Sequence, residues 1–175
     1  MQQRSPVDSM NDAPRLRTST SVLFVCTGNI CRSPTAEAVF RALVERAGLS
    51  HAIAIDSAGT HDYQVGQPPD PRAIARARRR GYELADRCAR QIDVEDFDRF
   101  EWILAMDQRN LEELEAMRPR DFRGHLGLFL DFAPESGSLE VPDPYQGKAE
   151  DFDRVIDLAE RGAAALLDAV RQSLA

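Results

Sequence analysis

Lysine is nearly missing from this 175-residue chain: Lys148 stands alone. No G-x4-G-K-[ST] stretch can therefore occur, which excludes a P-loop nucleotide hydrolase. Cysteine is scarce too, with three residues at irregular spacing and no secretory signal ahead of them. A disulfide framework is not expected, and a reducing, cytoplasmic setting is. No apolar run approaches the roughly 18 residues of a membrane span. Positive charge is in deficit overall, at a net charge of -7, which argues against general nucleic-acid binding because that relies on a basic surface to displace counterions. Any anion site must be local. With 43% hydrophobic and 29% charged residues, the composition suits one ordinary globular domain.

What is present is alternation. Residues 1–20, "MQQRSPVDSMNDAPRLRTST", carry no hydrophobic period and read as a flexible leader, with the domain proper at 21–175. A strand at 22–25 is followed by a helix from Pro34 to Ala47, stopped by Gly48, and a strand at 52–56. Asp70 as cap and Pro71 at the first position open a second helix that ends at Gly81. A short helix at 94–99, a strand at 102–106, a helix at 109–117 and a strand at 126–130 come next. The chain closes on a long helix whose Phe152, Val155, Ile156, Ala159, Ala163 and Leu166 form one apolar stripe. This order predicts an α/β fold of three α/β/α layers around a central four-stranded parallel sheet, where ligands bind beyond the carboxyl ends of the strands.

Cys26 sits at such an end, in "VCTGNICRSP". Gly28 tolerates positive φ and Asn29 tolerates it better than most residues, so backbone amides can turn inward as an anion nest. Ser33 as helix cap and Pro34 at the first helical position would aim a helix N-terminus into the same hollow. A thiol there, beside Arg32, is expected to ionise well below the roughly 8.5 of free cysteine. The Arg32 fork matches two oxygens of a phosphoryl group. Thiolate, amides and fork together describe attack on a phosphate monoester.

With its strand before and its helix after, this stretch resembles the signature loop of the low-molecular-weight protein tyrosine phosphatases. The likeness continues through "SAGT" (57–60), "VGQPPDPRA" (65–73), "ILAMDQRNL" (103–111) and "DPYQG" (143–147). The resemblance implies hydrolysis of protein phosphotyrosine with Cys26 as nucleophile, Arg32 as phosphoryl clamp and Asp143 as general acid and base, without metal or cofactor. It implies a phosphate cradle of Thr27, Gly28, Asn29, Ile30, Cys31 and Ser33, with Ser33 steadying the departing thiolate. Asn29 and Ser57 would brace the loop, and Tyr63 and Tyr145 would wall an aryl pocket. Cys31 is either a small packed residue or, as the resemblance implies, a partner that traps oxidised Cys26 as a disulfide. A phosphotyrosyl protein, such as a bacterial tyrosine kinase, is the implied partner.

Two positions depart from the family pattern: Gln146 replaces a second tyrosine, and Arg87 stands where many relatives have histidine. An arsenate reductase on the same fold would need a downstream cysteine pair, whereas Cys88 is alone and reads as a packing or surface residue. An arginine phosphatase tends to carry threonine at the position of Ile30. A zinc site from Cys26, Cys31, His51 and His61 would not need the adjacent arginine. Arg76, Arg78, Arg79 and Arg80 read as a solvated face complementing a helix C-terminus, and His125 and Trp102 as packing residues.

Overall fold

Val22–Val25 is apolar without a break, and the reason is its place in the sheet. In the computed structural model, which describes residues 19–174, β1 (Thr20–Cys26) lies inside a four-stranded sheet of order β2-β1-β3-β4. Its partners β2 (Ile53–Gly59) and β3 (Trp102–Ala105), and β4 (His125–Leu128) beyond, all run parallel. A strand covered on both faces needs apolar residues at every position, not at alternate ones. Val22, Phe24 and Cys26 point into one core with Phe40, Phe129 and the closing helix. Leu23 and Val25 point into the other, with Ile92, Phe97, Ile103 and Leu114. Phe24 meets Phe40 and Phe129 edge-on at 5.6 and 5.2 Å between ring centres, a favoured aromatic arrangement.

The helices are α1 (Arg32–Arg46), α2 (Pro71–Arg79), α3 (Asp96–Arg99), α4 (Gln108–Met117) and α5 (Ala149–Ser173). The three-layer expectation holds, with Phe152, Ile156, Ala159, Ala163 and Leu166 of α5 all buried. Several local expectations need correction. The strand placed at 126–130 ends at Leu128, and Phe129–Phe132 turns into a 3-10 helix that buries Phe129 and Leu130. Helix α1 begins at Arg32, so Ser33 is not its cap: Cys31 holds that position without a side-chain bond. Thr35 Oγ1 instead donates to the Cys31 carbonyl at 2.7 Å and closes the first turn. Asp70 does cap α2, its carboxylate accepting from the Arg72 N–H at 2.8 Å. The leader expected at 1–20 lies, through residue 18, outside the described residues; β1 starts at Thr20.

The arginine run is more than a solvated face. Arg76 pairs with Asp153, and Arg80 with Asp157 and Glu160, at 2.6 and 2.8 Å, so α2 is stitched to α5. Arg78 pairs locally with Glu83. Trp102 packs at the sheet end and donates from Nε1 to Thr20 Oγ1 at 3.1 Å. No described helix is long and apolar enough to cross a membrane.

Candidate active site

The register puts Cys26 opposite Gly59 at the carboxyl end of β1, and the chain turns at once. Asn29 takes the left-handed conformation at φ 58°, the only such non-glycine among the described residues. Gly28 was expected to share it and does not; a Cβ there would meet Gln64 Cγ at an ordinary 3.4 Å. The steric demand falls on Gly59, where a Cβ would come within 2.7 Å of the Thr27 carbonyl oxygen.

The turn wraps the Cys26 sulfur in donors. The Asn29 N–H points at Sγ from 3.3 Å and the Ser33 hydroxyl lies 3.0 Å away. Behind them runs a chain of bonds whose direction follows from chemistry. Glu37, buried with 1% of its side chain exposed, meets Arg87 Nη1 and Arg41 Nη2 at 2.8 Å each. An ionised carboxylate only accepts, so the Ser57 hydroxyl donates to Glu37 at 2.7 Å. Ser57 Oγ then accepts from Asn29 Nδ2 at 3.0 Å, whose second hydrogen goes to Ser33 Oγ at 2.9 Å. The Ser33 proton is thereby left for the sulfur at 3.0 Å or the more distant Ala58 carbonyl at 3.4 Å. The Arg90 N–H donates to Asn29 Oδ1 at 3.0 Å and fixes which way the amide faces.

Arg32 is buried, 3% exposed, and its Nη1 donors go to Asp107 Oδ2 at 2.5 Å and the Val141 carbonyl at 3.1 Å. Nη2 faces Thr27 Oγ1 at 3.3 Å and Asp143 Oδ2 at 3.8 Å. Burial alone would lower its pKa, but the Cys26 sulfur, Asp107 and Asp143 outweigh it and hold the guanidinium above the ordinary arginine value. A cavity of about 170 Å³ opens over this group. Its floor is Cys26, Thr27, Gly28, Ile30, Cys31 and Arg32; its walls are Tyr63, Gln64, Asp143 and Tyr145. Tyr63 stands 72% exposed and stacks on His61 at 4.9 Å.

The structure thus brings the twelve expected residues to one place in two tiers, nine of them lining the cavity. Asn29, Ser33 and Ser57 do not line the cavity but sit behind its floor. The Cys31 thiol is pushed up by burial, and Asp70, Cys26 and Asp143 add to that, so it stays protonated. Cys26, Cys31 and Cys88 are all free thiols, Cys88 exposed. Among the described residues no cluster of three or more histidine, cysteine or acidic groups could hold a metal. Arg87 takes up the family's histidine position as the partner of Glu37, and Gln146 is exposed on the loop after Asp143.

Sequence reasoning missed Asp107, Asn110, Glu37 and Gln64. Asp107 caps α4 by accepting from the Asn110 N–H at 2.8 Å, and an Asp ahead of a helical pattern is a readable cap signal. Its second task, holding Arg32, requires the fold. Asn110, fully buried, donates to Thr27 Oγ1 at 3.1 Å from the same turn.

The comparisons agree with this geometry. The family model for low molecular weight phosphotyrosine protein phosphatase matches residues 21–175. A low molecular weight phosphotyrosine protein phosphatase of Sus scrofa is 44% identical over 153 residues, 86% of this chain and 96% of that one. A crystal structure of a protein tyrosine phosphatase from Entamoeba histolytica, with Hepes in its active site, superposes with a TM-score of 0.84 at 38% identity, covering 88% of this chain and 98% of that one. The structure of a Drosophila arginine phosphatase superposes at 0.81 with 29% identity, covering 87% and 98%. The chain belongs to the low molecular weight phosphotyrosine protein phosphatase family, a family of protein-tyrosine-phosphatase enzymes.

Proposed function

We propose that the domain at 21–175 hydrolyses protein phosphotyrosine in two steps through a phosphocysteine on Cys26. The observation that carries this is the convergence of Cys26, Arg32 and Asp143 on one cavity with aromatic walls. In the first step the Cys26 thiolate attacks phosphorus in line with the ester oxygen; the S–P bond forms, the P–O bond breaks, and Asp143 gives its proton to the leaving phenolate. With Nη1 engaged by Asp107 and Val141, the Nε and Nη2 edge of Arg32 meets the equatorial oxygens. In the second step Asp143 takes a proton from water, whose oxygen bonds phosphorus as the sulfur leaves. The Ser33 hydroxyl, 3.0 Å away, donates to that sulfur as charge returns to it.

Depth selects the substrate. Ile30, Tyr63 and Tyr145 offer apolar surface to a flat aryl ring, and a phosphoserine side chain is too short to carry its phosphate to Cys26 while using those walls. The likeness to an arginine phosphatase supports a second reading, phosphoarginine hydrolysis, which Ile30 opposes by presenting no hydroxyl to a guanidino group. Profiling on phosphotyrosine, phosphoarginine and phosphoserine peptides separates these, with phosphotyrosine turned over fastest. Full activity in Cys26→Ser would rule out the nucleophile. A tyrosine kinase carrying its own phosphotyrosine is the partner class to try first.

A further inference from the structure

Arg72 does not line the cavity, yet it joins the phosphate loop to the loop that carries Asp143. Its Nε and Nη2 grip Asp70 at 3.1 and 2.9 Å. The Asp70 N–H donates to the Ile30 carbonyl at 2.8 Å, so this end is anchored in the phosphate loop. At the other end Arg72 Nη2 donates to the Tyr145 carbonyl at 2.9 Å. Its guanidinium carbon lies 5.7 Å from the Tyr145 ring centre and 4.6 Å from that of Phe152. The Tyr145 N–H in turn donates to Asp143 Oδ1 at 3.1 Å. A continuous series of bonds therefore runs from Ile30 to one oxygen of Asp143.

That series distinguishes the two oxygens. Oδ1 accepts from Tyr145, which favours its being the bare oxygen, so a proton on the carboxyl belongs on Oδ2. Oδ2 is the oxygen 3.8 Å from Nη2 of Arg32, which also lines the cavity. Helix α2 does not need the guanidinium for its cap, because Asp70 already accepts from the Arg72 backbone N–H. The fork instead links Asp70 to the Tyr145 carbonyl.

We propose that Arg72 is a positioning residue for proton delivery: it holds the Tyr145 carbonyl and, through the Tyr145 Cα, steadies the Tyr145 N–H that holds the Asp143 carboxyl with Oδ2 toward the leaving oxygen. This rests on Asp143 as general acid. The test measures kcat/KM, which reports the first chemical step, on phenyl phosphate and on para-nitrophenyl phosphate, whose leaving group needs little protonation. Arg72→Met keeps an unbranched apolar side chain on α2 and removes the fork. It should lose roughly 10- to 100-fold on phenyl phosphate and less than about threefold on the nitrophenyl ester. Arg72→Lys should fall between. The Arg72→Met, Asp143→Ala double variant should be no slower on phenyl phosphate than Asp143→Ala alone, since both changes remove the same proton transfer. Equal losses on the two esters, or additive losses in the double variant, would overturn the proposal. If Asp143→Ala alone shows no leaving-group dependence, the general-acid reading falls first; if it does and Arg72→Met does not, only the role of Arg72 falls. Should circular dichroism show Arg72→Met unfolded, Asp70→Asn carries the test. It keeps an acceptor for the Arg72 N–H and should shift the same ratio in the same direction.

Discussion

Replacing Glu37 by Gln changes almost no volume and reverses one property, the capacity of both oxygens to accept. Glu37 accepts from three donors: Ser57 Oγ at 2.7 Å, Arg87 Nη1 at 2.8 Å and Arg41 Nη2 at 2.8 Å. With its amide nitrogen toward the arginines, the glutamine sets donor against two guanidinium groups. With it toward Ser57, the hydroxyl must turn its proton elsewhere, and Asn29 Nδ2 faces a group that no longer has a fixed lone pair for it. The first orientation sets donor against donor, and the second takes away the acceptor of the Ser57 proton. Breaking a buried pair by removing one partner costs about 3–5 kcal/mol. Arg87 and Arg41 are 32% and 41% exposed and recover part of their hydration, so the cost falls to about 2 kcal/mol. For a domain of this size that lowers Tm by roughly 4–8 °C. The loss should be visible in calorimetry or urea melts. If the Ser33 proton is set through this chain, kcat/KM should drop about tenfold as well, the worth of one misdirected hydrogen bond of ~1.4 kcal/mol. A Tm within about 1 °C of the parent would refute the account of Glu37 as buried acceptor. A lowered Tm with unchanged kcat/KM would refute the transmission to Ser33.

Two further outcomes are expected. Gly59→Ala places a methyl 2.7 Å from the Thr27 carbonyl oxygen and 3.2 Å from the Asn29 nitrogen, and it should cost about 1–3 kcal/mol and lower kcat/KM by displacing the loop; an unchanged melting curve and rate would show that β2 yields instead. Burial lowers the His125 pKa, with Asp131 opposing, so the unfolded chain takes up the proton first and stability is lost as pH falls below about 6.5. Tm between about pH 7.5 and 5.5 should fall less steeply in His125→Gln than in the parent, and equal slopes would count against this.

The layered sheet and the end of β1 where Cys26 stands were readable from alternation alone, because parallel strands bury both faces and leave an unbroken apolar run such as Val22–Val25. Local stops were harder. Ser33 followed by Pro34 has the look of a cap, but the sulfur at 3.0 Å competes for the same hydroxyl, and the helix starts earlier. Gly28 and Asn29 were equally good candidates for the left-handed position, and only the loop's fit against Gly59 selects Asn29. Asp107 meets Arg32 across 75 residues, Arg72 meets the Tyr145 carbonyl across 73 and Glu37 meets Ser57 across 20, and no spacing in the chain encodes such meetings. Arg87 was visible as a departure from the family, but its pairing with Glu37 was not.

The stitching of α2 to α5 has a consequence for how this protein moves. The stretch bearing Asp143 leaves β3's neighbourhood at Val141, whose N–H bonds the Met106 carbonyl at 2.8 Å and whose own carbonyl is held by Arg32. It rejoins the two-helix frame at Lys148, whose N–H is fastened to Asp151 at 2.7 Å. These eight residues are moored at both ends, and Arg72 holds the Tyr145 carbonyl between them. On the proposed reading, substrate then meets Asp143 and the rings of Tyr63 and Tyr145 in a vestibule whose outer segment is already fastened down.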